Sequence, residues 1–459
     1  MNGSGRIIDK QLRSKSQKFL FLKIKNKNIF HYLQSMHRLK QKTYNLLRQS
    51  EKYFKTDMVY LTKGGSWLTL GQIFTSASSF VLSVAFANLV PQAVYGTFRY
   101  ITSLAATLVA FSLTGLGTAV TQSVARKFEN VIRSGFWLNV RWSIFLVLIS
   151  LVGSIYYFLH GNITLSISLL FIGSFSPFLN SANLATYYAN GKKDFKRLSI
   201  YNAIKGIVPV VILIATLFVT QNIIIIIFVY FFANTAVALL TYRNAIHFYK
   251  PNSADDPGIL DYSKKLSLIG FLSTIAAQAD KILIFTSIGA AELAIYSIAM
   301  AFPEQIKAIL RNLNFLMIPK FAEHGTGNVL NLRGKIIKLL LLLVGVTAFY
   351  LVAAPFLYSL FFPTYAADAV QLSQLFALSI LATVAMIPNS ILIAHKRSKE
   401  LFVINIAGSV IQLILLVIGI TLGGLWGVVI AKIIGAYVYM FLFFFYTSRL
   451  KTNKLFDYP

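Results

Sequence analysis

The chain has 459 residues, of which 56% are hydrophobic, and its mean hydropathy is +0.66. A soluble domain has too little interior to bury that much apolar surface, whereas the same composition is normal when lipid is the solvent. The sequence contains no cysteine, which excludes disulfides, thiolate metal sites and cysteine nucleophiles. The composition therefore indicates a membrane protein.

The formal net charge is +28. Binding to nucleic acid would require a basic face on a soluble surface. In this chain the basic residues lie in short segments between apolar runs, so we expect membrane lipids as partners and no nucleic acid.

The first 63 residues differ from the rest, with 15 Lys or Arg against three acidic residues. No apolar run typical of a signal peptide precedes Gly65. Apolar residues interspersed with lysines between Phe19 and Leu33 favour a basic amphipathic helix on an anionic membrane surface. A disordered basic tail is the alternative. We predict that residues 1–63 form a cytoplasmic extension.

Beyond this extension the sequence alternates between long apolar stretches and short polar segments. Each apolar stretch is long enough to span a bilayer with some tilt, and backbone amides in hydrocarbon must be paired within their own segment. The sequence thus predicts an all-α polytopic membrane protein of about 12 transmembrane helices. The predicted spans are 65–89, 93–119, 135–158, 163–189, 198–219, 222–245, 263–288, 291–320, 334–362, 366–393, 401–422 and 424–448.

The basic residues after position 63 are distributed asymmetrically. Of 28 Lys and Arg residues, 21 fall in alternate loops and the C-terminal tail, seven lie inside spans, and the opposite loops contain none. By the positive-inside rule, both termini are predicted to be cytoplasmic in a multi-pass protein of the inner membrane.

The sixth loop is the longest polar stretch after residue 63 and divides the chain into two halves. We predict an N-terminal six-helix lobe at 64–245, a cytoplasmic linker at 246–262, a C-terminal six-helix lobe at 263–450 and a cytoplasmic tail at 451–459. The halves repeat weakly at an offset near 200: Ala-Val-Tyr-Gly at 93–96 is similar to Ala-Ile-Tyr-Ser at 294–297. Because six spans separate the repeats, the lobes should form a parallel repeat around a central cavity.

Charged residues inside the spans are the candidate functional residues. A lipid-exposed Lys or Arg at mid-span costs about 2.5–3.5 kcal/mol, so these side chains should face an interior cavity or snorkel to the surface. Arg141 and Lys205 are close enough to a cytoplasmic end to snorkel. The seven bases are Arg99, Arg141, Lys205, Lys281, Lys307, Arg311 and Lys432, and the accompanying acids are Asp280 and Glu304.

Span eight concentrates this charge. Glu304, Lys307 and Arg311 fall on one helix face, and Pro303 predicts a kink next to them. Two interpretations are open: an ion pair between Glu304 and Lys307 that holds helices together, or a charged cavity wall that contacts substrate.

Polar faces on two other spans support a wet interior, although helix–helix hydrogen bonding explains them equally well. A net-positive cavity predicts an anionic passenger. We assign substrate binding to the first six bases and coupling or gating to Asp280 and Glu304, with Lys432 left ambiguous. The polar faces comprise Gln72, Ser76, Ser79 and Ser83 on span one and Ser176, Asn180, Asn183 and Tyr187 on span four.

Enzymatic motifs are missing from the sequence. It has no P-loop and no His-Glu-x-x-His motif, and its six histidines do not cluster at metal-ligand spacing. We therefore expect no catalytic residues, no metal site, no cofactor and no enzymatic activity.

Several short motifs resemble those of bacterial polysaccharide (O-antigen-type) flippases. In the first half these are Leu-Val-Pro-Gln-Ala-Val-Tyr-Gly at 89–96, Gly-Leu-Gly-Thr-Ala at 115–119 and Val-Ala-Arg at 124–126. In the second half, Asp-Lys-Ile-Leu-Ile at 280–284 leads through Gly289 to Ile-Tyr-Ser at 295–297. The resemblance covers about residues 64–450 and points to the multidrug/oligosaccharidyl-lipid/polysaccharide exporter superfamily.

The resemblance implies two six-helix lobes that rock between inward-open and outward-open states. It also implies an undecaprenyl-diphosphate-linked oligosaccharide as passenger, proton or sodium coupling, and a polysaccharide polymerase as a partner. Asp280 matches the motif aspartate of the family. A cation-coupled exporter of drugs or metabolites is the main alternative, and a membrane enzyme or scaffold for polyprenyl sugars is another.

Overall fold

The structure, a computed structural model, describes residues 58–312, 332–395 and 397–449. The predictions for residues 1–57 and for the tail at 451–459 fall outside these residues. Residues 64–459 form one unit. All regular secondary structure in the described residues is helical, which confirms the all-α prediction.

The first half contains the helices from the first described residue up to the linker. Its helices are α1 (Met58–Leu89), α2 (Gln92–Leu108), α3 (Leu116–Ala125), α4 (Val131–Trp142), α5 (Ile144–Leu159), α6 (Ile163–Ala182), α7 (Leu184–Gly191), α8 (Phe195–Val219) and α9 (Ile223–Tyr249).

The second half follows the linker. Its helices are α10 (Ile259–Ser287), α11 (Ala290–Ala299), α12 (Ala301–Asn312), α13 (Leu332–Phe361), α14 (Ala366–Ala377), α15 (Met386–Ala394) and α16 (Ser398–Arg449).

Nine helical segments of the described chain are long and apolar enough to cross a membrane, and two bent helix pairs raise that number to 11. The pairs are α2 with α3, bent by 58°, and α11 with α12, bent by 42°. Both pairs correspond to predicted spans. The division of the crossings into two lobes related by a parallel repeat stays a prediction.

The last segment, α16, is a hairpin of two helices. A straight helix of its 52 residues would be about 78 Å long, more than twice the hydrocarbon thickness. Gly424 breaks it with φ 52° and ψ −129°, a left-handed conformation that favours glycine. The two arms then pack together, since Ser409 bonds Tyr439 at 3.1 Å between hydroxyl oxygens. The break falls between the two spans predicted at 401–422 and 424–448.

Span eight is kinked, as its proline predicts. Pro303 has no N–H, so it cannot donate to the carbonyl of Ala299 four residues earlier. The hydroxyl of Tyr358, fully buried in α13, lies 2.9 Å from that carbonyl oxygen, 3.0 Å from the carbonyl oxygen of Ile298 and 2.8 Å from the Ser373 hydroxyl, so its one proton is within reach of the freed carbonyl. Residues 313–320, the end of the predicted span, lie outside the described residues.

The two halves approach most closely where α2 meets α11. A Cβ on Gly96 would lie only 1.6 Å from the carbonyl oxygen of Ala290. Ala290 lies four residues before the repeated motif at 294–297, and each of the two motifs carries a fully buried tyrosine, Tyr95 and Tyr296. This contact places Arg99, one turn after Gly96, beside the second half.

The linker between the halves is bonded to the loop that joins α3 and α4. Asp256 is buried, accepts from the hydroxyl of Ser123 at 2.6 Å and pairs with Arg126. On the same loop, Glu129 pairs with Lys192 and accepts from the backbone amide of Asn252. The linker is thus held in a defined position on the first half.

Candidate functional site: a charged cavity between the halves

A cavity of ≈ 700 Å³ lies where the two halves meet. Its wall comes from α1, α2, α8 and α9 of the first half and from α10, α11, α12 and α16 of the second. Because the wall is divided between the halves, a movement of one half against the other would change the shape of the cavity.

Four basic side chains line this cavity: Arg99, Lys205, Lys281 and Lys432. Arg99 and Lys205 come from α2 and α8, whereas Lys281 and Lys432 come from α10 and α16. Each half therefore contributes two positive charges. Two acids line the same cavity, Asp280 and Glu304, which leaves a formal excess of two positive charges.

Three of the four bases are bonded only to neutral groups. The Nε of Arg99 donates to the Ser297 hydroxyl at 3.3 Å. The ammonium of Lys205 donates to the Asn183 side-chain oxygen at 2.9 Å, and that of Lys281 donates to Gln278 at 2.9 Å. Among the described residues, no carboxylate lies within 4.0 Å of these three cations. Their charge is available to an anion.

The fourth base is paired with a buried acid. The ammonium of Lys432 lies 3.0 Å from Oδ2 of Asp280, whose side chain is only 1% exposed. The same oxygen accepts a hydrogen bond of 2.7 Å from the Tyr296 hydroxyl. The other oxygen, Oδ1, is buried with no hydrogen-bond partner in the described part of the chain. This cluster joins α10, α11 and α16.

The second acid is also paired. Glu304 and Lys307 form an ion pair of 2.5 Å across one turn of α12. Lys307 also donates to the Ser379 hydroxyl at 3.2 Å and lies over the Phe376 ring at 4.2 Å. Glu304 and Lys307 lie on the same helix, so their ion pair does not itself hold two helices together; Lys307 contacts another predicted span through Ser379 and Phe376. Glu304 lines the cavity, whereas Lys307 lies behind it.

Two further predicted substrate contacts are Arg141 and Arg311. Arg141 has an exposed side chain at the end of α4 and is not among the residues that line the cavity. Its position near a helix end instead suits snorkelling. The side chain of Arg311 falls outside the described residues.

The predicted polar faces contribute unequally. On span one, Ser79 and Ser83 line the cavity, but Gln72 bonds Ser76 away from it. None of the four residues predicted on span four lines the cavity, although Asn183 supports Lys205.

Sequence reasoning left two members of the site without a role. Lys432 was ambiguous because it is near the end of its span, and Tyr296 was not considered. The Asp-Lys motif at 280–281 could have indicated Lys432. A buried carboxylate needs a positive partner, and Lys432 is the only base in the last predicted span.

An all-helical fold with many candidate membrane spans around a charged cavity is that of a multi-pass membrane protein. The profile of a family described as polysaccharide biosynthesis protein matches residues 61–323, more than half of the chain, and the chain belongs to that family. No curated protein matches the sequence.

Solved structures with the same fold include flippases and drug exporters. The lipid II flippase MurJ, in an inward-closed conformation, matches with a TM-score of 0.62 at 14% identity, covering 83% of this chain and 87% of that one. An outward-facing multidrug-resistance MATE transporter matches with a TM-score of 0.60 at 16% identity, covering 86% and 97%. An inward-facing MATE transporter gives 0.58 at 17% identity, covering 84% and 95%. At these identities the likeness establishes the fold alone.

Proposed function

We propose that the protein is a flippase that moves undecaprenyl-diphosphate-linked oligosaccharide repeat units across the cytoplasmic membrane for surface polysaccharide assembly. The observation that carries the proposal is the set of three cavity cations, Arg99, Lys205 and Lys281, with no described carboxylate partner. Basic groups in a low-dielectric wall attract a diphosphate strongly, and their field is not cancelled locally.

The distribution of these cations suits a passenger held between moving halves. Arg99 and Lys205 belong to the first half, and Lys281 belongs to the second. A headgroup bound between them contacts both halves in one state, and it is released when the halves separate on the other side. The lipid tail stays in the bilayer while the charged headgroup crosses in the cavity.

The acids of the site fit a coupling or gating role better than a substrate role. Asp280 is already bonded to Lys432 and Tyr296, and Glu304 is already paired with Lys307. An ion pair of this kind can exchange partners when an anionic headgroup arrives. We propose Asp280 as the coupling carboxylate, with protons or sodium ions as the driving ion. A polysaccharide polymerase is the expected downstream partner, and both termini are placed in the cytoplasm.

The test is transport in vesicles containing the purified protein and a fluorescent sugar linked to undecaprenyl diphosphate. Flipping is measured as the fraction of label that becomes accessible to a membrane-impermeant quencher. Arg99→Gln and Lys281→Gln should each lower the rate about ten-fold or more, since charge-assisted hydrogen bonds contribute about 1.5–3 kcal/mol. Arg141→Gln, which removes a span charge outside the cavity, is the matched control. Wild-type rates in both cavity variants, at normal protein levels, would refute the assignment.

A cation-coupled exporter of drugs or metabolites is the second candidate. The observation that favours it is the buried Asp280 with one unbonded oxygen, because a carboxylate in a cavity attracts organic cations. The excess of basic groups in the same wall opposes it. Drug susceptibility of a deletion strain separates the two: sensitivity to cationic drugs with normal surface polysaccharide supports the exporter.

A further inference from the structure

A second cavity, of ≈ 530 Å³, lies between α8 and α9. Its wall comes from the first three turns of α8 and the last third of α9, and it shares no residue with the wall of the central cavity. In the orientation that the basic loops predict, both helix ends are cytoplasmic. We call this cavity the α8–α9 groove.

One end of the α8–α9 groove carries hydrogen-bond donors with positive charge. Lys196 has no carboxylate within 4.0 Å among the described residues, and its ammonium lies 5.8 Å from the Trp67 ring centroid. Arg197 is held in place, because its guanidinium lies 3.2 Å from the centre of the Phe248 ring and its Nε 3.6 Å from Asp194. A fixed guanidinium and an unpaired ammonium form a preorganised anion site.

A neutral donor completes this end. The hydroxyl of Tyr201 donates to the side-chain oxygen of Asn244 at 2.9 Å, which fixes the amide. The amide nitrogen of Asn244 then has no partner in the described part of the chain and remains available to a ligand. Lys196, Arg197 and Asn244 all line the groove.

The other end of the groove is apolar and open to the bilayer. Ile200, Ile204 and Leu240 line it, and they are 41%, 42% and 67% exposed. Ile200 and Ile204 follow Arg197 along α8 at one-turn intervals, so the wall changes from basic to aliphatic with depth. Trp67, near Lys196 at the basic end, is a residue type enriched at the membrane–water interface.

We infer that the α8–α9 groove binds an anionic phospholipid of the cytoplasmic leaflet, with the phosphodiester at Lys196 and Arg197 and an acyl chain along Ile200, Ile204 and Leu240. Asp194 offsets one of the two cations that line the groove, which leaves one net positive charge. A lipid with one net negative charge balances that excess, whereas a zwitterionic lipid adds a second cation. The diphosphate substrate is a less suitable occupant for two reasons. The groove is formed by the first half alone, and none of its wall residues also lines the central cavity.

The experiment measures lipid retention by the purified full-length protein with native mass spectrometry. The probes are phosphatidylglycerol and phosphatidylcholine with identical acyl chains. Phosphatidylglycerol should be retained at least five-fold better, and Lys196→Gln should reduce its retention about five-fold, as expected for one basic group at an anionic surface. Leu240→Gln should also weaken retention, because the acyl chain loses an apolar contact.

The matched control is Lys265→Gln, which removes an exposed lysine from the same predicted face at the start of α10. It should leave retention unchanged. Soluble glycerophosphate at equal concentration should not displace the lipid, because it lacks the chain that fills the apolar end. Equal retention of both lipids, an equal effect of Lys265→Gln, or displacement by glycerophosphate would each overturn the inference. None of these outcomes depends on the proposed flippase activity.

Discussion

The ammonium of Lys432 lies 3.0 Å from the buried carboxylate of Asp280, and this pair joins the last span to the first span of the second half. Removal of one partner leaves an uncompensated charge in a low-dielectric interior, at a cost of about 3–5 kcal/mol. Lys432→Met should therefore lower the thermal unfolding temperature of the detergent-purified protein sharply. The double variant Lys432→Met with Asp280→Asn should recover most of the loss. If the double variant is as unstable as the single one, the pair is not the source of the effect.

The cavity wall should be reachable by water-soluble reagents. The chain has no cysteine, so single-cysteine variants report one position each. Ser83→Cys, which lines the cavity, should react with a charged maleimide, and an excess of a polyprenyl-diphosphate-linked sugar should slow the reaction. Ser154→Cys is the control, because Ser154 is 4% exposed and bonds Ser166 at a helix contact. Equal labelling at both positions would contradict the cavity.

Tyr358 should be needed for the kink in span eight. Tyr358→Phe removes the hydroxyl that lies within hydrogen-bond distance of the Ala299 and Ile298 carbonyls and of Ser373, and Pro303 has no N–H to donate to Ala299 in its place. A buried unsatisfied acceptor costs about 1–3 kcal/mol, so we expect a measurable fall in unfolding temperature and a lower transport rate. Tyr156→Phe, at an exposed tyrosine with no hydroxyl bond in the described residues, should change neither quantity. A neutral Tyr358→Phe would mean that water serves the carbonyl instead.

The contact between α2 and α11 should depend on a glycine. Gly96→Ala places a methyl group 1.6 Å from the carbonyl oxygen of Ala290, so the two helices must separate. We expect lower stability and loss of transport. Gly345→Ala meets no atom within 4 Å, and it should be neutral or slightly stabilising because alanine favours a helix. Similar behaviour of the two variants, measured by unfolding temperature and flipping rate, would argue against the close contact.

The stability that Glu129 contributes by bonding the α3–α4 loop to the linker should depend on pH. Burial acts to raise the pKa of Glu129, but hydrogen bonds from Lys192, the Asn252 amide and Tyr188, together with the charge of Lys192, outweigh it, and the net pKa is below the usual 4.5. A lowered pKa means that the carboxylate stabilises the fold above the pKa of the unfolded chain, and that this stability is lost as pH falls through the folded-state value. Glu129→Gln should therefore lower the unfolding temperature at pH 7.

The same variant provides its own control in acid. Wild type and Glu129→Gln should converge as pH falls below 4.5, because protonation removes the charge that the substitution removes. A temperature difference that persists unchanged in acid would show that shape, and not charge, explains the effect.

Much of the architecture follows from one-dimensional patterns. Apolar stretches of 22–30 residues predict spans because hydrocarbon tolerates only segments with internally paired backbones. Pro303 predicts the kink that the structure contains between α11 and α12. The cost of burying charge marks Arg99, Lys205 and Lys281 as cavity candidates, and all three line it.

Composition and spacing did not determine which way each charge faces. Arg141 and Lys205 are alike in sequence, each near a cytoplasmic helix end, yet only Lys205 reaches the cavity. The difference arises because α8 forms part of the cavity wall whereas the end of α4 does not. Likewise, the pairing of Asp280 with Lys432 joins residues 152 positions apart, and local periodicity carries no information about such a contact. The sequence by itself thus determined the membrane-spanning helices and their charges, and the tertiary structure decided which charges meet, because that depends on how distant helices pack.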